Sequence, residues 1–330
     1  EANQGYFDVT DPAITIRFEL EDEPGAYFVA WTTTPWTLPS NLALAVGPDI
    51  DYVKIKDNGE YYIMAAARVH AYYKEEPEIV ARFKGSELEH RRYKPLFNYF
   101  ADLASQGAFQ VLTADMVSTE DGSGIVHMAP GFGEEDNAVC KRYKLPEVCP
   151  IDEQCCFTAE IPDYQGRFVK ETDNDIIARL KSEGKLVKRD TIKHSYPHCW
   201  RDDNALIYRA VSTWFVKVEA IKDKMLKANS QISWMPAYIK DGRFGNWLAN
   251  ARDWAISRNR YWGTPLPIWR NEEGEVICVG SVAELEKLTG KKVTDLHKHY
   301  VDELEIPSPT GKSPLKRIPE VLDCWFESGS

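Results

Sequence analysis

Apolar and polar residues alternate with period two across residues 13–20 (Ala-Ile-Thr-Ile-Arg-Phe-Glu-Leu), and again at Tyr52-Val-Lys-Ile55 and Gly124-Ile-Val-His127. That spacing puts every second side chain on one face of a strand. Turn-forming clusters separate the runs: Glu23-Pro24-Gly25, Gly47-Pro48-Asp49, Asp57-Asn58-Gly59 and Asp121-Gly122-Ser123-Gly124. Helices are expected over 134–143 and 173–182. The second begins after Thr172 and carries Ile176, Ile177 and Leu180 on one face. Neither a βαβ repeat nor a Gly-rich phosphate loop interrupts the pattern. These signals predict an α+β fold, mostly β, with a compact, closed or strongly curved barrel-like sheet and helices on it.

The pattern changes near residue 190. Trp31 and Trp36 are the tryptophans before that point; Trp200, Trp214, Trp234, Trp247, Trp254, Trp262, Trp269 and Trp325 follow it. Aromatics at that density pack between layers or at an interface. We therefore divide the chain into a barrel-like domain over 1–190 and mixed α/β connective segments over 191–330. Two domains also suit a chain of 330 residues.

Composition narrows the options. Apolar residues make up 43% and charged residues 28%, ordinary globular usage that argues against disorder or a fibrous fold. Apolar runs are far shorter than the roughly 20 residues of a membrane helix, so no membrane partner is expected. The net charge of -11 argues against a protein that coats nucleic-acid phosphates generally. A local stretch is nevertheless basic: Lys240, Arg243, Arg252, Arg258, Arg260 and Arg270 stand against Asp241 and Asp253. It reads either as a solvated helix face or as a contact for RNA or a neighbouring domain. Seven cysteines, odd in number and unevenly spaced, fit a reducing compartment better than a disulfide framework. With no signal-peptide pattern, the expectation is a cytoplasmic piece of a longer protein.

Two segments concentrate functional groups. Trp31-Thr-Thr-Thr-Pro-Trp-Thr-Leu-Pro-Ser-Asn41 runs from an apolar strand into clustered hydroxyls held between prolines, a stiff loop able to position a water or a sugar hydroxyl. It reads equally as an ordinary strand exit. His127-Met-Ala-Pro-Gly-Phe-Gly-Glu-Glu-Asp136 reads as strand, tight loop and helix start, placing an imidazole and a carboxylate near each other. Acidic residues at a helix start also simply favour the helix dipole. Gly-x-Ser-x-Gly and His-Glu-x-x-His are absent, and no cysteine pair has metal-ligand spacing. Any chemistry here points to a positioned water rather than a covalent intermediate.

Together the two segments resemble the signature regions of the editing domain of the isoleucyl-tRNA synthetase family, in its eukaryotic cytosolic form. Asn246-Trp-Leu-Ala-Asn-Ala-Arg-Asp-Trp-Ala-Ile-Ser-Arg-Asn-Arg-Tyr-Trp-Gly-Thr-Pro-Leu-Pro-Ile-Trp269 resembles the class I stretch after that insertion. Asp323-Cys-Trp-Phe-Glu-Ser-Gly-Ser330 resembles the return to the catalytic Rossmann fold. Valyl and leucyl relatives would carry an arginine and an acidic residue after the paired threonines, where Pro35-Trp36-Thr37 stands here.

The resemblance implies hydrolysis of mischarged Val-tRNA(Ile) by a positioned water. By it, Thr32, Thr33, Thr34 and Asp136 are catalytic: the threonines hold the terminal adenosine and the water, and Asp136 binds the substrate's α-ammonium group. Trp36, Asn41 and His127 complete the substrate pocket. The partners implied are the misacylated 3′ end of tRNA(Ile) and the remaining domains of the synthetase. Editing needs no cofactor, whereas the parent enzyme uses ATP to ligate isoleucine to tRNA(Ile). His-x-Gly-His and Lys-Met-Ser-Lys-Ser are absent, so these residues alone should not charge tRNA. Cys199-Trp-Arg-Asp202 and the lone Cys278 lack the paired cysteines of bacterial zinc-binding relatives, so zinc is not expected. The alternative is a non-catalytic tRNA-binding or structural module.

Overall fold

A computed structural model describes residues 5–329. It separates into two compact units, one ending at Ala210 and one starting at Val211.

The first unit is built on nine strands: β1 (Tyr6–Glu19), β2 (Ala26–Thr32), β3 (Ala43–Val46), β4 (Asp51–Asp57), β5 (Glu60–Ala65), β6 (Glu78–Lys84), β7 (Gln110–Thr113), β8 (Ile125–Met128) and β9 (Leu186–Pro197). Strand β2 is the hub. Along one edge it pairs antiparallel with β1, which pairs in turn with β9. Its other edge is shared end to end, by parallel β5 over Ala26–Phe28 and by parallel β8 at Trp31. The sheet therefore forks into a β5-β4-β6 arm and a β8-β3-β7 arm.

The second arm curls back on the start. Residues 90–94 hydrogen-bond on one side to β7, with His90 N–H on the Val111 carbonyl and Val111 N–H on the Arg91 carbonyl. On the other side they reach β1, where Lys94 N–H donates to the Glu19 carbonyl at 2.8 Å. The path β1-β2-β8-β3-β7-(90–94) thus returns to β1 through isolated bridges at Arg92–Gln110 and Leu20–Tyr93, giving the strongly curved, barrel-like sheet expected from the alternation. Its filling is apolar: Phe18, Phe28, Leu44, Tyr93 and Phe109 are all buried.

Helices cover the ring rather than connect it. Short turns α1 (Val69–Tyr72) and α2 (Gly85–Leu88) precede α3 (Glu134–Arg142) and α4 (Asp173–Ser182). The last two match the predicted helical stretches closely, and α4 buries Ile176, Ile177 and Leu180 as its pattern requires. Parallel pairing of β2 with β5 and β8, and of β3 with β7, was not legible in local alternation.

The second unit has small sheets, such as Ile268–Arg270 between Val276–Cys278 and Lys316–Arg317. Trp269, Leu285 and Leu315 form its core, whereas Trp247, Trp262 and Trp325 are exposed. Arg258, in the basic stretch, donates to the Ala255 and Ser257 carbonyls and pairs with Asp323.

Candidate functional site

The path of the chain around β8 creates the site. Strand β2 runs parallel to β8 in the register Trp31↔Val126, and β3 runs antiparallel to it on the far side, Leu44 opposite His127. To pass from β2 to β3, residues 33–42 must arch over the end of β8. The arch tightens into a 3-10 turn, Pro35–Ser40, whose six residues are all buried. The threonine-rich segment is thereby laid over His127, 86 to 90 residues away in sequence.

A directed chain of hydrogen bonds follows. Tyr93 donates its hydroxyl to Oδ1 of Asn41 at 2.7 Å, which fixes the amide's orientation. The Asn41 Nδ2 group donates to the Ala43 carbonyl at 2.8 Å and faces His127 Nδ1 at 3.0 Å. Because an amide nitrogen only donates, Nδ1 accepts, and the ring carries its proton on Nε2. That Nε2 lies 2.8 Å from the Thr37 hydroxyl, which itself donates to the Thr34 carbonyl at 2.9 Å. Thr34 Oγ1 is 3.3 Å from both Thr37 Oγ1 and Thr32 Oγ1, and Thr32 Oγ1 accepts the Thr34 N–H. Thr32, Thr34, Asn41 and His127 thus join one network. Thr33, only partly buried, stands outside it.

His127 is 7% exposed, and burial holds its pKa down at about 4. The imidazole is therefore neutral near pH 7, with both nitrogens engaged. Held on both sides, the ring offers no free nitrogen to take a further proton.

Beyond β8, the loop 129–133 enters α3. Gly131 is required: a Cβ there would lie 2.1 Å from the Val148 carbonyl oxygen. Phe132 sets its ring edge against Trp36, centroids 5.0 Å apart, so this loop packs on the arch. Trp36 Nε1 is buried with no partner among the described residues. Asp136 turns back from the first turn of α3 and accepts the Ala129 N–H through Oδ2 at 2.8 Å. Burial raises its pKa to about 6, while the Ala129 N–H pulls the other way.

Three residues not singled out from sequence belong to this arrangement. Thr37 lay inside the quoted segment and was passed over. Tyr93 sits in an unpatterned Arg-Arg-Tyr-Lys run and gave no signal. Asp173, which accepts the Trp36 N–H at 2.9 Å, reads from sequence as an ordinary helix-start acid. Burial raises its pKa to about 7 against the pull of the Trp36 N–H and the Lys170 charge.

A family model described as tRNA synthetases class I (I, L, M and V) matches residues 17–330. The chain is 60% identical to an isoleucine–tRNA ligase of Bdellovibrio bacteriovorus over its full length, covering 32% of that protein. It is 52% identical to the cytoplasmic isoleucine–tRNA ligase of Mus musculus, covering 27%. It spans about a third of the length of the curated relatives it matches. Among solved structures it is similar to the editing domain of the P. knowlesi cytosolic leucyl-tRNA synthetase, with 10% identity and a TM-score of 0.43 over 56% of this chain and 98% of that one.

Proposed function

The chain belongs to the class I tRNA synthetases, and on that premise we propose that its first unit edits: it takes the 3′ end of tRNA(Ile) bearing misattached valine and hydrolyses the ester. The observation that carries the reading is the arch over β8, which gathers Thr32, Thr34, Asn41 and His127 into one network beside the loop of Asp136.

The need for such a site is energetic. One methylene in an apolar pocket discriminates by only about 1–3 kcal/mol, a magnitude established on this enzyme family rather than obtained from this chain. A second pocket that admits valine and excludes isoleucine multiplies the selectivity.

In this reading Asp136 accepts the substrate's α-ammonium group, a charge-assisted bond. Thr32, Thr33 and Thr34 hold the terminal ribose and the attacking water. Trp36 and Asn41 complete the pocket, and His127, fixed between Asn41 and Thr37, forms the wall that turns isoleucine away. The water oxygen adds to the ester carbonyl carbon and the bond to the ribose oxygen breaks. That oxygen takes a proton, leaving valine and free tRNA. With both His127 nitrogens occupied, the adjacent ribose hydroxyl assists the water. The step uses no cofactor and no zinc. Ligation of isoleucine with ATP belongs to the parent enzyme, and the location we assign is the cytoplasm, as for the mouse relative.

The test is deacylation of Val-tRNA(Ile) and Ile-tRNA(Ile) by the whole synthetase and by this chain. The valyl ester should be cleared and the isoleucyl ester spared, with Asp136→Ala slowing the valyl reaction roughly 10- to 100-fold. Equal rates on both esters remove the selectivity claim, and a normal rate in Asp136→Ala removes the ammonium site. No hydrolysis at all supports the non-catalytic alternative.

A further inference from the structure

The 3-10 turn Pro35–Ser40 begins with a single backbone donor in need of a partner. Pro35 has no N–H, and the Thr37 N–H is already on the Thr34 carbonyl at 3.0 Å. Only the Trp36 N–H remains. The residue placed to cap it, Thr34, makes no side-chain capping bond, its hydroxyl standing toward Thr32 and Thr37 instead. A threonine in that position ordinarily closes its own helix start.

The cap comes from elsewhere. Oδ1 of Asp173 accepts the Trp36 N–H at 2.9 Å, from 137 residues along the chain. Asp173 is 7% exposed and is the first residue of α4, whose Ile176, Ile177 and Leu180 lie in the same core as Trp36 and Leu38. The carboxylate is thus carried on a packed helix rather than a mobile loop, so its position is set by the core.

We propose that Asp173 is a positioning residue for the editing reaction, capping the arch in place of Thr34 and so leaving the Thr34 hydroxyl to the substrate side of the loop. This rests on the editing reading above. Without the carboxylate, the Trp36 N–H is a buried, unpartnered donor, and the Thr34 hydroxyl occupies the N-cap position that ordinarily takes such a donor. Rotating that hydroxyl to the cap takes it out of the Thr32–Thr34–Thr37 array. Asp173 touches no substrate; it acts through Thr34.

Two measurements test this in the whole synthetase. Amide exchange at Trp36 reads the cap without reference to activity. It should be slow in wild type and in Asp173→Asn, whose amide oxygen can still accept, and at least tenfold faster in Asp173→Ala while the amides of β2 and β8 stay protected. Unchanged protection in Asp173→Ala overturns the proposal even if no deacylation is seen. Deacylation of Val-tRNA(Ile) then reads the consequence. Asp173→Ala should lower kcat roughly tenfold with KM changed less than threefold, Asp173→Asn should recover most of the loss, and adding Thr34→Val to Asp173→Ala should cost less than twofold more. Full additivity of the two substitutions, or wild-type kcat in Asp173→Ala, rejects the positioning role and leaves the editing reading standing. Absence of deacylation in wild type rejects the editing reading, with the exchange result still deciding the cap.

Discussion

A histidine ring held between a donor and an acceptor is committed to one protonation state. In His127, a second proton on Nδ1 would face the donating Asn41 Nδ2 group 3.0 Å away, inside a buried site. The folded pKa of about 4 lies below the unfolded value of 6.5. Between those values the unfolded chain binds the extra proton, so this group's contribution is complete above pH 6.5 and lost as pH falls toward 4. Asp136 and Asp173 run the other way. Raised to about 6 and about 7 from 3.8, they hold protons better when folded, and their contribution declines as pH rises through that range. The His127 part can be isolated by difference. In urea melts, the stability gap between wild type and His127→Gln should be larger at pH 6.5 than at pH 4.5 by roughly 2 kcal/mol. A gap that does not change with pH means His127 is not held neutral by the fold. The residues that make this network were unequally visible in the chain. Thr32, Thr34, Asn41 and His127 stand in two dense polar segments. Tyr93 and Asp173 meet them only because the sheet closes and α4 packs, and no local spacing encodes either event.

Among the elements, alternation and turn chemistry located β1, β4, β8, α3 and α4, and α4 shows the link most directly, since its period records the face of Ile176, Ile177 and Leu180 that it buries. The closure of the ring was not recorded. Residues 90–94 join β7 to β1 through backbone groups, which leave no side-chain pattern. The parallel pairings are equally silent, since a strand's own sequence does not name its partner's direction. Turn glycines carry more information than their abundance suggests, and Gly124, which feeds β8 into the site, shows why. Its φ is +74°, and an added Cβ would fall 2.3 Å from the Ala65 Cβ in β5. Gly59, in the β4–β5 turn, has φ +86° and nothing within 4 Å of an added Cβ. Gly59→Ala should therefore show only the left-handed penalty, about 1 kcal/mol, while Gly124→Ala adds steric crowding and should cost roughly 2–4 kcal/mol. Equal losses in denaturant melts of the two variants rule out the close approach of β8 to β5.

At the scale of the whole molecule, the decisive feature is where order thins along the chain. The first unit ends with residues tied to the site: the Ala210 N–H donates to the Gly131 carbonyl at 2.7 Å, and Arg209 reaches the Asp152 carbonyl. From Val211 to Trp214 no strand or helix is formed, and Val211 is 48% exposed. Regular pairing resumes at Phe215–Val216, a two-residue strand on Trp254–Ala255. Such a segment, poor in backbone pairing and flanked by packed units, is where proteases act first. Chymotrypsin at low ratio should cut first at Trp214 or Phe215, ahead of Tyr208, although Tyr208 is the more exposed side chain at 66%. Cleavage at Tyr208 requires the Ala210 N–H to leave the Gly131 carbonyl and the Arg209 side chain to leave the Asp152 carbonyl, whereas cleavage after Trp214 opens only the short strand and its flanking bonds, Trp214 N–H to Ser257 Oγ and Ile256 N–H to the Trp214 carbonyl. Mass spectrometry of the early digest separates the two. A first fragment ending at Trp214 or Phe215 means that residues 209–210 are held by the site loop. A first cut at Tyr208, or scattered cuts before residue 200 at the same rate, means the bond to Gly131 does not hold in solution and the 129–133 loop is free of the segment that follows β9.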